Sequence, residues 1–158
     1  MPEGTKLGPQ ILELLETAET LNTTSNSINT ILHAVERQLI EANLGLEVWL
    51  DQYDSDKLSQ TTRRDERYTH PRSYETELGF AKLGDGWHLA RREVVIDTDP
   101  QGNEVCRESM DGPSPLAQAS RKERIAALRR LPRLIEALNL EARDAITTIE
   151  QAKSLILC

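Results

Sequence analysis

The stretch Thr76-Glu-Leu-Gly-Phe-Ala-Lys-Leu-Gly-Asp-Gly-Trp-His-Leu-Ala-Arg-Arg-Glu-Val-Val-Ile96 decides the fold. Two runs rich in strand-forming residues flank Gly84-Asp85-Gly86, the pattern of an antiparallel hairpin. Three loop residues between Leu83 and Trp87 fit a type I turn closed by a glycine bulge, with Gly86 at positive φ. In that register Leu83 faces Trp87, Phe80 faces Ala90, Leu78 faces Arg92 and Thr76 faces Val94. Alternation then gives one face to Tyr74, Leu78, Phe80, Ala90, Val94 and Ile96, a core face. The other face receives Leu83, Trp87 and Leu89, a candidate apolar surface near the turn. A lone hairpin is marginal in water, so the helices on either side are expected to cover it.

Working outward towards the N-terminus, Ile11, Leu12, Leu14, Leu15, Ala18 and Leu21 mark a helix over 9–22. Asn22-Thr-Thr-Ser-Asn26 interrupts it, because these side chains compete for their own backbone. Ser25 then caps a second helix over 26–43, whose Ile28, Leu32, Val35 and Leu39 form a core-facing stripe. Leu46–Tyr53 alternates as a strand. Residues 54–73 offer little to bury and read as a long polar loop.

On the other side of the hairpin, Asp99-Pro-Gln-Gly102 is a turn, Glu104–Arg107 a short fourth strand and 109–116 a linker. Ser120-Arg-Lys-Glu123 is a capping box that starts a helix. Pro132 predicts a break near Arg130. Beyond it Leu131, Ile135, Leu138, Ala142, Ala145, Ile149, Ala152 and Ile156 recur at 4-3-4-3-4-3-4, a heptad seam with three alanines. The partner of this seam is most simply helix 26–43, and the expected fold is α+β, an antiparallel three- to four-stranded meander packed against antiparallel N- and C-terminal helices in the order ααββββαα. A tail, residues 1–8, precedes a single domain over 9–158.

The net charge of −7 is uneven, with ten acids and three bases in residues 1–60 but fourteen bases and twelve acids in 61–133. The acidic balance speaks against broad nucleic-acid binding. Two cysteines, Cys106 and Cys158, make no disulfide framework and suit a reducing compartment. The N-terminus lacks a signal-peptide pattern, and no apolar run reaches the ~20 residues of a membrane span. These features lead us to expect a cytoplasmic protein with no membrane partner.

Four groups of residues are candidate sites. Arg121, Lys122, Arg124, Arg129, Arg130 and Arg133, with Arg63, Arg64 and Arg67 of the polar loop, could form an anion-binding surface. The plainer reading is a solvated helix face paired with the acidic N-terminal third, since no aromatics interleave for base stacking. Asp97–Glu108 nearly matches a calcium loop, with Gly102 at its sixth position. Gln101, Glu104 and the preceding strand count against it, so an acidic hairpin turn is expected. His33 and Glu36 stand one turn apart on a helix, but the C-terminal helices supply no second pair for a metal. The seam ending Ile149, Ala152, Ile156 is longer than helix 26–43 can cover. The first helix could complete it within one chain, or across the two-fold axis of a homodimer.

Catalytic motifs are missing: there is no Gly-x-Ser-x-Gly, phosphate loop, Gly-x-Gly-x-x-Gly or Cys-x-x-Cys. An enzyme is thus the minority reading, with no cofactor or metal expected. The chain reads as a non-enzymatic binding or assembly module, joining a protein partner or itself through its helices. A nucleic-acid accessory protein using the arginine cluster is the alternative.

Overall fold

The computed structural model describes residues 7–51, 54–63, 72–84 and 86–157. Two long helices, α1 (Leu7–Ala42) and α2 (Arg121–Ile156), enclose five strands in sequence: β1 (Val48–Trp49), β2 (Ser59–Arg63), β3 (Arg72–Leu83), β4 (Gly86–Thr98) and β5 (Glu104–Pro115). All pairs are antiparallel, in the order β1-β3-β4-β5, with β2 on the same edge of β3 as β1. The expected α+β class and helix–sheet–helix order hold, with each pair of helical segments fused into one helix.

The predicted interruption at Asn22–Asn26 does not occur. Thr20, Thr23, Thr24, Ser27 and Thr30 instead donate their hydroxyls to the carbonyls four residues earlier. Local hydrogen bonding that can dissolve a helix is here absorbed inside it. Pro132 likewise lies within α2, which runs unbroken from its Ser120–Glu123 capping box. Leu131 and Leu134 on either side of it are buried. Their packing outweighs the proline's cost of ~3 kcal/mol.

The hairpin is one residue tighter than expected. Leu83 pairs with Gly86, Phe80 with Leu89 and Leu78 with Arg91. Gly84, at φ +62°, supplies the left-handed turn residue in place of Gly86. A slip of one residue exchanges the faces of β4 relative to β3. Leu78 and Phe80 therefore share a face with Trp87 and Leu89, while Ala90, Val94 and Ile96 belong to the opposite one. Phe80 and Trp87 stack with ring centroids 5.3 Å apart. That face meets Leu32 of α1 and Ala127, Leu131, Leu134 and Leu138 of α2 to form the core.

Two further expectations change. Part of the polar stretch 54–73 is strand β2, whose Ser59, Gln60 and Thr61 pair with Thr76, Glu75 and Tyr74. Its polar side chains find partners on β3, including Ser59 with Thr76 and Gln60 with Glu75. Little apolar burial is needed to hold it; residues 64–71 lie outside the described residues. The expected linker 109–116 is mostly β5, which reaches Pro115. As an edge strand it tolerates prolines, and the register shift between Arg91 and Glu93 absorbs Asp111-Gly112-Pro113.

The sheet face away from the helices carries charge. Lys57 lies 3.1 Å from Glu75 and 3.2 Å from Glu77, all three buried. Arg92 and Arg107 each approach Glu77 at 2.7 Å. Arg92 also stacks over Trp49, 4.4 Å from the ring centroid. The hydrogen bond to Glu104 and the charges of Glu104, Glu77 and Glu75 outweigh burial and raise the pKa of Arg107. Three carboxylates, Glu75, Glu77 and Glu104, thus pair with three bases, Lys57, Arg92 and Arg107, in one network.

Candidate assembly surface

Once α1 is continuous, a single seam runs along it: Ile11, Leu14, Ala18, Leu21, Ser25, Ile28, Leu32, Val35 and Leu39 alternate steps of three and four. From Ser25 onward these residues are buried or half-buried against the domain. Before it, Ile11, Leu14 and Leu21 are exposed. In α2, Ala127, Leu131, Leu134 and Leu138 are buried, whereas Ile149 and Ile156 are exposed. Each helix is thus a buried half that continues into an unburied half on the same stripe.

The two helices run in the same sense where they meet. Arg121, the first residue of α2, donates to Asn22 of α1 at 2.7 Å, and Arg124 donates to Asn29. At the other end, Ala137, Leu140 and Glu141 lie against β1, which follows the end of α1. The antiparallel helix pair expected from the sequence is corrected: the sheet lies between the helices in the chain and returns it to the level at which α1 entered. Residues 7–21 of α1 therefore extend past the start of α2, and residues 142–156 of α2 past the end of α1. Each overhang is fifteen residues of a 36-residue helix, about 22 Å at ~1.5 Å per residue.

Eight large aliphatic side chains lie on or beside the seams of these overhangs, between 43% and 82% exposed. They are Ile11, Leu14, Leu15 and Leu21 on α1, and Ile146, Ile149, Leu155 and Ile156 on α2. At roughly 100 Å² per aliphatic side chain, they offer about 500 Å² of apolar area per chain. An interface about 57% apolar would then bury close to the ~800 Å² per partner of a standard complex. That area is divided between the two overhangs, at opposite ends of the domain.

Of the predicted seam residues, Ile149, Ala152 and Ile156 all lie on the α2 overhang and are exposed. The α1 overhang was not among the sequence candidates. Its signal was the unbroken three-four spacing through Leu21, Ser25 and Ile28, hidden by the polar run around Ser25. Leu83, Trp87 and Leu89 do not make a separate apolar surface: Leu89 is buried, Trp87 packs on the core and Leu83 is half-buried. The one-residue register change turned Trp87 and Leu89 inward, onto the face of Phe80, while Leu83 lies on the opposite face.

The arginine cluster is dispersed around α2. Arg121 and Arg124 go to the asparagines of α1, and Arg130 to the carbonyl of Ala126. Arg133 pairs with Asp56 at 3.4 Å and Glu136 at 3.2 Å. Lys122 and Arg129 are exposed. Arg63 ends β2; its side chain, with Arg64 and Arg67, lies outside the described residues.

In the near-calcium loop, Asp97 is held by Arg72 at 2.8 Å and Glu104 by Arg107 at 2.9 Å. Asp99 accepts from the backbone N–H groups of Gln101 and Asn103, an Asx turn that closes the β4–β5 hairpin. The acids of the loop are thus engaged locally. No group suited to a metal occurs among the described residues. Glu36 does not pair with His33. It faces His88 Nδ1 at 3.5 Å and accepts from the backbone of Leu89.

A cleft of about 390 Å³ between β1 and α2 is lined by Trp49, Asp51, Asp56, Arg92, Arg133 and Glu141, among others. Its two arginines are engaged with Glu77, Asp51, Asp56 and Glu136. No described helix is long and apolar enough to cross a membrane. No protein-family model matches the chain, and neither a curated protein nor a solved structure matches it significantly.

Proposed function

We propose that this protein is a non-enzymatic assembly module that self-associates through the overhanging halves of its two helices. One observation carries the reading: the same heptad stripe that forms the core in each helix continues, exposed, for four turns beyond the domain. Isolated helical segments of that length are marginal in water, and an apolar stripe on them is stabilised by a partner. Arginines that could have gathered into a phosphate-binding face are bound instead to α1, to Asp56 and to their own helix.

Sedimentation of the full chain between 1 and 100 micromolar, as a rough range bracketing common affinities, tests the reading. A species heavier than the 17.8 kDa chain is expected. Ile149→Asp should return it to monomer while the circular dichroism of the sheet persists. A monomer throughout that range overturns self-association. High salt should leave the association intact, because an apolar interface is not weakened by screening, unlike phosphate binding.

A further inference from the structure

Resting on that reading, we infer that the overhangs join copies of this chain head to tail. The α1 overhang of one copy lies parallel along the α2 overhang of the copy before it, and the assembly grows by translation along the helix axis.

The joint repeats a contact that each chain already makes with itself. Arg121 donates to Asn22, which sets α2 99 positions ahead of α1 at a given height. At that offset Ile28, Leu32, Val35 and Leu39 stand level with Ala127, Leu131, Leu134 and Leu138, all members of one core or packed against it. An α-helix repeats its face about every 18 residues, or five turns. The α2 face that meets α1 therefore returns as Ala145, Ile149, Ala152 and Ile156, and both isoleucines are exposed. On α1 the same interval leads from Leu32 and Leu39 back to Leu14 and Leu21, also exposed. Each overhang thus shows to solvent the face that packs on the other helix inside the domain.

The lengths fit a translation. Both helices have 36 residues, about 54 Å and ten turns. A copy displaced by that step needs no rotation to bring up the same face. Its α1 starts past the end of this α1, and its α2 past the end of this α2. The partner's Leu14 then stands level with Ile149 and the partner's Leu21 with Ile156. The partner's Ile11 and the partner's Ala18 fall within one residue of Ala145 and Ala152. A shorter step is barred, because two α1 helices would share one line. The longest strand, the 13 residues of β4, spans about 43 Å at ~3.3 Å per residue, less than the step, so successive sheets stay clear.

Other arrangements do worse. An antiparallel partner along both overhangs would carry its own Leu131 and Leu138 onto Ser25 and Leu32, which are buried in this chain. Two α1 overhangs would set Glu13, Glu16 and Glu19 against the same three acids, with no base in residues 7–21. Two α2 overhangs, where Arg143 and Lys153 balance Asp144 and Glu150, would leave the α1 stripe in water. Because the α2 overhang is neutral, charge neither drives nor opposes the head-to-tail joint, and the apolar stripe carries it. Each joint uses one overhang from each copy, about half of the standard interface area. It is heterologous and does not close, so mass should climb with concentration rather than settle at one size.

Sedimentation of the full chain over a concentration series tests this, with Leu14→Asp and Ile149→Asp each blocking one end. Both positions are exposed, and circular dichroism checks that each variant keeps its fold. The wild-type mass is expected to rise past two copies of the 17.8 kDa chain. Each variant alone should be a monomer, and their equimolar mixture should form a dimer and nothing larger. In a Cys106→Ser and Cys158→Ser background, a short bismaleimide should link Leu14→Cys on one chain to Ile149→Cys on another. A wild type that stops at dimer would overturn the head-to-tail chain and leave self-association standing. So would assembly by either Asp variant alone, the mark of like paired with like. A mixture of the two that stays monomeric would overturn the joint, and assembly without the 14–149 linkage would overturn the parallel register. A wild type that never associates would sink both this inference and the reading beneath it.

Discussion

The carboxylate of Glu36, on α1, accepts a hydrogen bond from the backbone N–H of Leu89, on β4, at 2.9 Å. Strand β5 accompanies β4 only as far as the pair Ala90 and Pro115, so the tip of the hairpin has no strand on that side. Glu36 takes the place of the missing strand and ties the first helix to the hairpin. Glu36→Ala leaves that donor without its partner and is expected to cost about 1–3 kcal/mol. Glu36→Gln, which retains an acceptor, should cost less. Urea denaturation of both variants checks the ordering, and equal losses would mean that the side chain merely packs.

Phe80 is buried and stacks on Trp87. Removing the ring in Phe80→Ala should cost about 3–5 kcal/mol. It should also shift the tryptophan emission, because Trp87 loses its cover. A melting temperature within a degree or two of wild type, taken as roughly 0.5 kcal/mol or less, would contradict the face assignment.

Gly79 marks where β1 crosses close to β3. A Cβ there would lie 2.4 Å from Trp49 Cε3 and 2.7 Å from the carbonyl oxygen of Val48. One contact is backbone, so the strand itself must move. Gly79→Ala is expected to destabilise by about 1–3 kcal/mol and to raise amide exchange at Val48 and Trp49. Unchanged exchange there would show that β1 yields without cost.

Glu77 is fully buried among Lys57, Arg92 and Arg107. Glu77→Ala removes the buried carboxylate that three bases share, leaving them Glu75, Asp51 and Glu104, and a loss of about 3–5 kcal/mol is expected in thermal or chemical melts. A loss comparable to that of an ordinary surface substitution would mean that water readily solvates the cluster.

Hydrogen bonds from the backbone of Asn103, its side chain and the backbone of Gln101, which outweigh desolvation, lower the carboxyl pKa of Asp99. The stabilisation is therefore present above the ordinary aspartate value and lost as pH falls through the lowered one. An NMR titration of the Asn103 amide should show a midpoint below that of a free aspartate. A midpoint at or above the ordinary value would rule out the Asx turn.

Local rules settled much of this molecule. Ser120 and Glu123 announced the start of α2, and the alternation around residues 74–96 announced a hairpin, because capping and pleating act over a few residues. The seam through Ile149, Ala152 and Ile156 was visible for the same reason: periodicity is a property of the chain. What escaped was decided between distant segments. Gly84 or Gly86 could each have supplied the turn, and only packing against α1 and α2 chose the register that brings Leu78, Phe80, Trp87 and Leu89 to one face. The polar run around Ser25 reads as a breaker until Asn22 and Asn29 receive Arg121 and Arg124, about a hundred positions away. That same long-range contact sets the helices parallel. Their apolar stripes could be read from the sequence, but only the parallel setting sends the two overhangs out at opposite ends, where a fold with antiparallel helices could have buried one against the other.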